Sequence, residues 1–185
     1  GQVGYIGGFN IGKEYLGRKK KFGYWRDTHL RVLGGCVQDI NARFIMDWRF
    51  ASKEQIVLSE AYYSGIIKEG CTGVQIVSCG PDDGKTQIKR GYMKAITSAR
   101  KNIYIQTPYF VPDNSILESL KMAAQSGVDV RLMIPCMPDH MFVYWATYAY
   151  AGELIRSGAR VFIYNEGFLH AKTLVADGEV ASIGS

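Results

Sequence analysis

The chain has 185 residues, 47% of them hydrophobic, enough for one substantial α/β core or slightly more. No apolar run approaches the ~18–20 residues that cross a bilayer, and the formal charge of +5 favours anionic partners, phospholipid surface or nucleic acid alike. Cys36, Cys71, Cys79 and Cys136 are scattered, with no C-x-x-C pair and no histidine at ligand spacing, so buried free thiols are expected rather than a metal centre or disulfides.

In chain order, Gly1 to Asn10 alternates apolar residues with glycines and reads as a strand with a close backbone approach at its end. Gly17 to Arg26 is a basic cluster followed by aromatics. Such a run suits a solvated loop, a membrane surface that attracts Arg18, Lys19, Lys20 and Lys21 with Phe22, Tyr24 and Trp25 at the interface, or single-stranded nucleic acid. Asp27 to Leu33 alternates as a strand, with Asp27 either a strand-end carboxylate satisfying a turn or a functional one. Gly34-Gly35 precedes a helix in which Val37, Ile40, Phe44 and Trp48 form a core-facing stripe. Residues 52–70 are uninformative and suit a linker.

From Gly73 strands and helices alternate. Strands are expected at 74–78, 102–110, 128–134 and 160–164, and helices at 86–101, from the cap Asp113 to about Gln125, and from Asp139 to Ser157. This alternation implies parallel pairing with helices on both faces. Thr107 to Asp113 closes a strand and opens a helix, a usual place for ligand contacts, where Tyr109 and Phe110 are pocket candidates.

The most informative stretch is Phe168 to Ser185. His170 and Lys172 lie two residues apart among strand formers, so a strand projects both from one face. Asp177-Gly178 is a turn signal and Val180 to Ile183 resumes an extended pattern, giving a hairpin. An imidazole beside a fixed ammonium, followed by Gly-Ser, suits a phosphoester: the imidazole as nucleophile or acid, the lysine as a charge on the phosphoryl oxygens. His-x-Lys alone fits any edge strand. The longer pattern His-x-Lys-x4-Asp-x6-Gly-Ser is far more specific, and His170, Lys172, Asp177, Gly184 and Ser185 meet it. Gly178 to Ser185 also aligns with Gly1 to Gly8, a short internal repeat that points to two similar lobes.

That pattern resembles the HKD motif of the phospholipase D superfamily. Gly4 to Leu16, Tyr24 to His29, Gln106 to Asp113 and Phe168 to Lys172 resemble bacterial cardiolipin synthases more closely. The resemblance implies a phospholipase D-like α/β fold, with a mixed, mostly parallel sheet flanked by helices. Residues 1–70 would be the C-terminal part of a first lobe and 71–185 the N-terminal part of a second. It implies transfer between two phosphatidylglycerol molecules, giving cardiolipin and glycerol through a phosphohistidine, with no metal or other cofactor. By analogy a first-motif histidine before residue 1 is the nucleophile and His170 the acid/base. Lys172 would neutralise the phosphoryl oxygens, Asn10 and Ser185 donate to them, and Asp177 hold the hairpin and its lysine. Asp27 would orient a catalytic histidine. The resemblance also favours an anionic membrane surface over nucleic acid as the partner of Arg18 to Lys21 and Trp25. It implies an enzyme held at the bacterial cell membrane by helices outside this sequence, with its catalytic region on the cytoplasmic side. The alternatives are an HKD nuclease, a phospholipase D hydrolase, or an inactive lipid-binding module.

Overall fold

The computed structural model describes residues 1–57, 59–63, 65, 70–80, 84 and 86–184. The chain forms two compact units, Gly1–Ile6 with Leu30–Ile88 and Gly7–His29 with Lys89–Ser185.

In the first unit β1 (Val3–Gly7) pairs with β3 (His29–Leu33), and α1 (Cys36–Ser52) follows. β1 starts at Val3, which the internal repeat aligns with Val180, where a strand also begins. α1 buries Val37 and Ile45, whereas Phe44 and Trp48, expected on the buried stripe, are 60% and 46% exposed. Their rings stack on each other at 6.1 Å, and the Trp48 indole donates to Glu54 at 3.0 Å. The helix has turned this edge outward because its contact with the rest of the unit runs through Val37 and Ile45, eight residues apart on one face. Lys53 ends α1 in the left-handed region, at φ 60°. The strand expected at 74–78 is absent: residues 70–80 pair with no ladder, and Val74 and Val77 are exposed. Alternation makes a strand only where a neighbour takes up its hydrogen bonds. The cysteines, expected to be buried, are not: Cys36 and Cys136 are half-buried and Cys71 and Cys79 exposed.

The second unit is built on a five-stranded mixed sheet. Its strands are β4 (Asn102–Gln106), β5 (Asp129–Pro135), β6 (Arg160–Tyr164), β8 (Thr173–Ala176) and β9 (Val180–Ile183), in the order β6-β5-β4-β8-β9. β4, β5 and β6 run parallel; β8 is antiparallel to β4, and β9 to β8. Between them come α2 (Gln87–Ser98), α3 (Asn114–Gln125) and α4 (Met141–Arg156). Asp113 caps α3 by accepting from the Ile116 amide at 3.0 Å.

One face of this sheet carries Ile103, Val130, Leu132, Ile134, Leu174 and Ala176, packed against Ile96 of α2, Leu117 and Leu120 of α3, and Ala151 and Leu154 of α4. The helices expected on both faces therefore lie on one. The chain steps in one direction from β4 through β5 to β6, and right-handed crossovers taken in one direction place successive helices on the same side. The opposite face is mixed, carrying Met133, Phe162 and Val175 beside charged groups, and is partly open. There Arg131 lies 4.8 Å over the Tyr104 ring, and Asp129 pairs with both Arg131 and Arg160.

After β6 the chain returns to the far side of β4 and enters β8. Sheet growth thus reverses at β4, and the C-terminal ends of β4 and β5 meet the N-terminal end of β8, with Gln106 opposite Thr173. Such a reversal in an α/β sheet leaves a crevice where ligands bind. A second, two-stranded parallel sheet lies at this end, formed by β2 (Trp25–Arg26) and β7 (Phe168–Leu169).

Candidate active site

The local sequence builds one continuous strand from Leu169 to Val175, but two different neighbours compete for it. β2 takes up Phe168 and Leu169, while β4 takes up Thr173 onward. His170, Ala171 and Lys172 bridge the two sheets outside either ladder. The Phe168 amide donates to the Tyr24 carbonyl and the His170 amide to the Arg26 carbonyl, each at 2.8 Å. This register sets Asp27 beside His170 across 143 residues of sequence, and His170 Nδ1 lies 2.7 Å from Asp27 Oδ2. Both side chains are nearly enclosed, 9% and 7% exposed.

Asp27 is held in turn. Its Oδ1 accepts from the Thr28 amide at 2.8 Å, and Gly8 lies flat against the carboxylate, donating its amide to the Thr28 carbonyl at 3.1 Å. A Cβ at Gly8 would come within 2.9 Å of Asp27 Oδ2 and closer still to Oδ1, so the close approach read from the glycine-rich stretch is an approach to this carboxylate.

Aromatic rings wall the imidazole. Trp25 lies 5.0 Å from it centroid to centroid, Tyr15 meets it edge-on at 5.6 Å, and Phe168 lies at 6.2 Å. Phe22 and Trp25, expected at a membrane interface, are instead interior, 6% and 8% exposed, in a cluster with Phe168. Apolar surface is removed from water by the nearest partner, and β7 brings Phe168 to Trp25. Arg18, Lys19, Lys20 and Lys21 remain exposed, with the ammonium groups of Lys19 and Lys21 lying 5.3 and 5.0 Å from the Phe22 ring. The Trp25 indole N–H is buried and has no hydrogen-bond partner among the described residues.

Lys172 completes the group. Its Nζ donates to the His170 carbonyl at 2.8 Å and lies 2.7 Å from Nε2 and 2.9 Å from Nδ1. Near-equal distances to both ring nitrogens set the ammonium against the ring rather than in line with either lone pair. Burial pulls its pKa down from 10.5 to about 8, against the opposing pull of the Asp27 and Asp139 carboxylates.

The other expected site residues lie further out. Asp177 is remote from the imidazole: its carboxylate accepts from the amides of Arg100, Lys101 and Asn102 at 2.7, 2.8 and 2.9 Å. These bonds hold its pKa below the ordinary carboxylate value. Asp177 and Gly178, at φ 56° and 72°, form the expected hairpin turn, and the Gly184 amide closes the hairpin's far end on the Lys172 carbonyl at 2.9 Å. Asn10 is exposed and donates to the Tyr15 hydroxyl at 2.9 Å, one side chain removed from His170. Ser185 lies outside the described residues.

Two site groups had little signal in sequence. Tyr15 carries no motif of its own, and Asp139 marks only the start of a helix. Asp139 accepts from the Tyr109 hydroxyl, and the Tyr109 ring lies 6.3 Å from that of His170. Tyr109 was legible as a pocket candidate from its place after β4. Its carboxylate partner, thirty residues on, was not.

A family model described as "Cardiolipin synthase, PLD-like domain" matches residues 92–185, a span that includes His170, Lys172 and Asp177. Cardiolipin synthases of Listeria innocua and Oceanobacillus iheyensis are 61% and 57% identical to this sequence along its whole length. The chain spans 39% and 38% of those relatives. A solved phosphatidylserine synthase from Haemophilus influenzae shares the fold, with a TM-score of 0.61 over 95% of this chain and 50% of its own, at 15% identity. With a His-x-Lys pair braced by a buried carboxylate at the switch point of a mixed α/β sheet, the chain belongs to the phospholipase D-like domain family of cardiolipin synthases.

Proposed function

We propose that the protein to which this chain belongs is a cardiolipin synthase that transfers the phosphatidyl group of one phosphatidylglycerol to a headgroup hydroxyl of another. The observation that carries the reading is the Asp27–His170–Lys172 cluster. Asp27 engages Nδ1 and so commits Nε2 to handling the reaction's proton, while the lysine supplies positive charge for phosphoryl oxygens.

In the proposed sequence a second histidine, from the other HKD motif of the full protein, attacks phosphorus. Its N–P bond forms as the bond to the leaving glycerol oxygen breaks, and His170 gives that oxygen its proton through Nε2. His170 then takes the proton of the incoming hydroxyl. The new P–O bond forms as the N–P bond breaks, and both histidines return to their starting states. Asp27 stabilises His170 in its cationic form and fixes its tautomer. Asn10 would reach the phosphate through the Tyr15 hydroxyl or after a change of rotamer. Ser185 would donate to a phosphoryl oxygen, and Asp177 would act through the backbone it ties down. The exposed cations Arg18 to Lys21 would meet the anionic surface of the cell membrane, with the catalytic region on its cytoplasmic side. No helix among the described residues is long and apolar enough to cross a membrane.

The test is the full-length protein and its His170→Ala variant, incubated with labelled phosphatidylglycerol in detergent micelles, with the products resolved for cardiolipin and glycerol. The expected result is equimolar cardiolipin and glycerol from wild type and neither from the variant. Release of phosphatidic acid alone, or cleavage of nucleic acid with lipid untouched, would replace the synthase reading by a hydrolase one.

A further inference from the structure

The reaction above needs an ammonium kept in one place beside His170, and lysine is the least rigid of the cationic side chains. Asp27 accounts for the imidazole. Lys172 has its own surroundings. Its Nζ lies 5.8 Å from the centroid of the Tyr109 ring, within range of a cation–π contact, and that ring stands at 86° to the His170 ring. The Tyr109 hydroxyl donates to Asp139 Oδ2, and Asp139 Oδ1 accepts from the His140 amide at 2.7 Å.

The segments carrying this pair are fixed independently of Lys172. The Tyr109 amide donates to the Thr107 hydroxyl at 3.1 Å, and the Phe110 amide donates at 3.1 Å to the hydroxyl of Thr147, a fully buried residue of α4. Tyr109 thus stands at the end of β4 and Asp139 between β5 and α4, the two parallel strands that border the switch point. A carboxylate here would repel a phosphate if it served alone. Paired with a phenol beside a lysine, it does something else.

We infer that Tyr109 and Asp139 are positioning residues for the reaction, a phenol–carboxylate pair that holds the Lys172 ammonium against His170 as Asp27 holds the imidazole. The groups facing Lys172 are the carboxylates of Asp27 and Asp139, the His170 imidazole and the Tyr109 phenol. Asp139 opposes the effect of burial on the lysine. The phenol is kept protonated, hence a donor, by burial and by its bond to Asp139. The inference rests on the phosphodiester chemistry proposed above, but its central measurement does not require turnover.

That measurement is the pH at which Lys172 becomes half-reactive toward an acylating reagent. It would be followed by peptide mass spectrometry in the full-length protein and in Asp139→Asn, Asp139→Glu, Tyr109→Phe and Tyr109→Leu. Wild type is expected to turn near pH 8. Asp139→Asn should lower the midpoint by about 0.5 unit or more, the size of one nearby charge in a partly screened site, and Asp139→Glu should restore it. Tyr109→Leu, which removes the ring, should raise the labelling rate above that of Tyr109→Phe, which loses only the tether. Where wild type turns over phosphatidylglycerol or a chromogenic phosphodiester, kcat should fall about tenfold in Asp139→Asn with KM little changed, and the alkaline limb should move with the labelling midpoint. A midpoint unmoved in Asp139→Asn, with circular dichroism matching wild type, overturns the inference. Activity on the chromogenic ester but none on phosphatidylglycerol overturns the lipid reading and leaves the positioning role to be judged on the labelling.

Discussion

Two aspartates frame the site and do opposite kinds of work. Asp177 belongs to the His-x-Lys-x4-Asp pattern, yet its carboxylate faces three backbone amides at the start of β4. Asp27 lies outside that pattern, 143 residues from His170, and makes the bond to the imidazole. Motif spacing therefore records scaffold as well as chemistry. The interval from Lys172 to Asp177 is the length of one strand plus its turn, and it serves to tie the lysine's strand to β4. Asp27 reaches the histidine by another route, the parallel register of two short strands.

Substitution should separate the two aspartates, and the lysine between them, by the size of the effect. The largest effect is expected from Asp27→Asn in the full-length protein. It preserves shape but presents the wrong partner to Nδ1, and comparable dyads lose about 10⁴ in kcat. The melting temperature should barely move, because the amide still fills the space beside Gly8. A matching loss of stability would make Asp27 a structural residue like Asp177.

A smaller effect separates Lys172 from both carboxylates. In the proposed reaction its working form is the ammonium, and its pKa is about 8, so turnover should fall roughly tenfold per pH unit above that value. Stability should move the other way. The folded pKa is depressed, so the unfolded chain binds more protons between about pH 8 and 10.5, and folding becomes more favourable as pH rises through that window. Turnover and thermal melting followed over the same range would reveal the crossing; a parallel decline in both would contradict it.

The smallest effect on catalysis is expected from Asp177→Asn, which should lower the melting temperature by several degrees and kcat only a few-fold. Its stabilising contribution is present above the ordinary carboxylate pKa of 3.8 and is lost as pH falls toward its depressed folded value. Variant and wild-type melting curves should therefore converge in acid. If they stay apart below that range, the carboxylate's charge is not what the three amides recognise.

Much of the second unit was legible from local chemistry. The Asp113 cap, the Gly127 stop at φ 88° and the Asp177-Gly178 turn each follow from what one or two residues can do with their own backbone. The His-x-Lys spacing makes His170 and Lys172 neighbours, and they are, although the strand that implies it stops on either side of them. What sequence could not supply was competition between partners. Phe168 and Thr173 belong to one run of strand formers, and nothing local says that β2 takes one and β4 the other. Trp25 carries the same lesson: beside four cations it reads as an interfacial residue, and only the arrival of Phe168 makes it interior. The exposed edge of α1 and the unpaired residues 70–80 differ from expectation for the same reason, since periodicity announces a face but not what covers it.

The indole of Trp25, set 5.0 Å from the His170 ring, makes the site optically self-reporting. Protonated imidazole quenches indole emission by accepting an electron from the excited ring, and neutral imidazole does so far less. Of the three tryptophans in the sequence, the other two, Trp48 and Trp145, are exposed and open to replacement by phenylalanine. Emission from Trp25, isolated by replacing every other tryptophan of the full-length protein, would report on the imidazole beside it before any substrate is added and without a label.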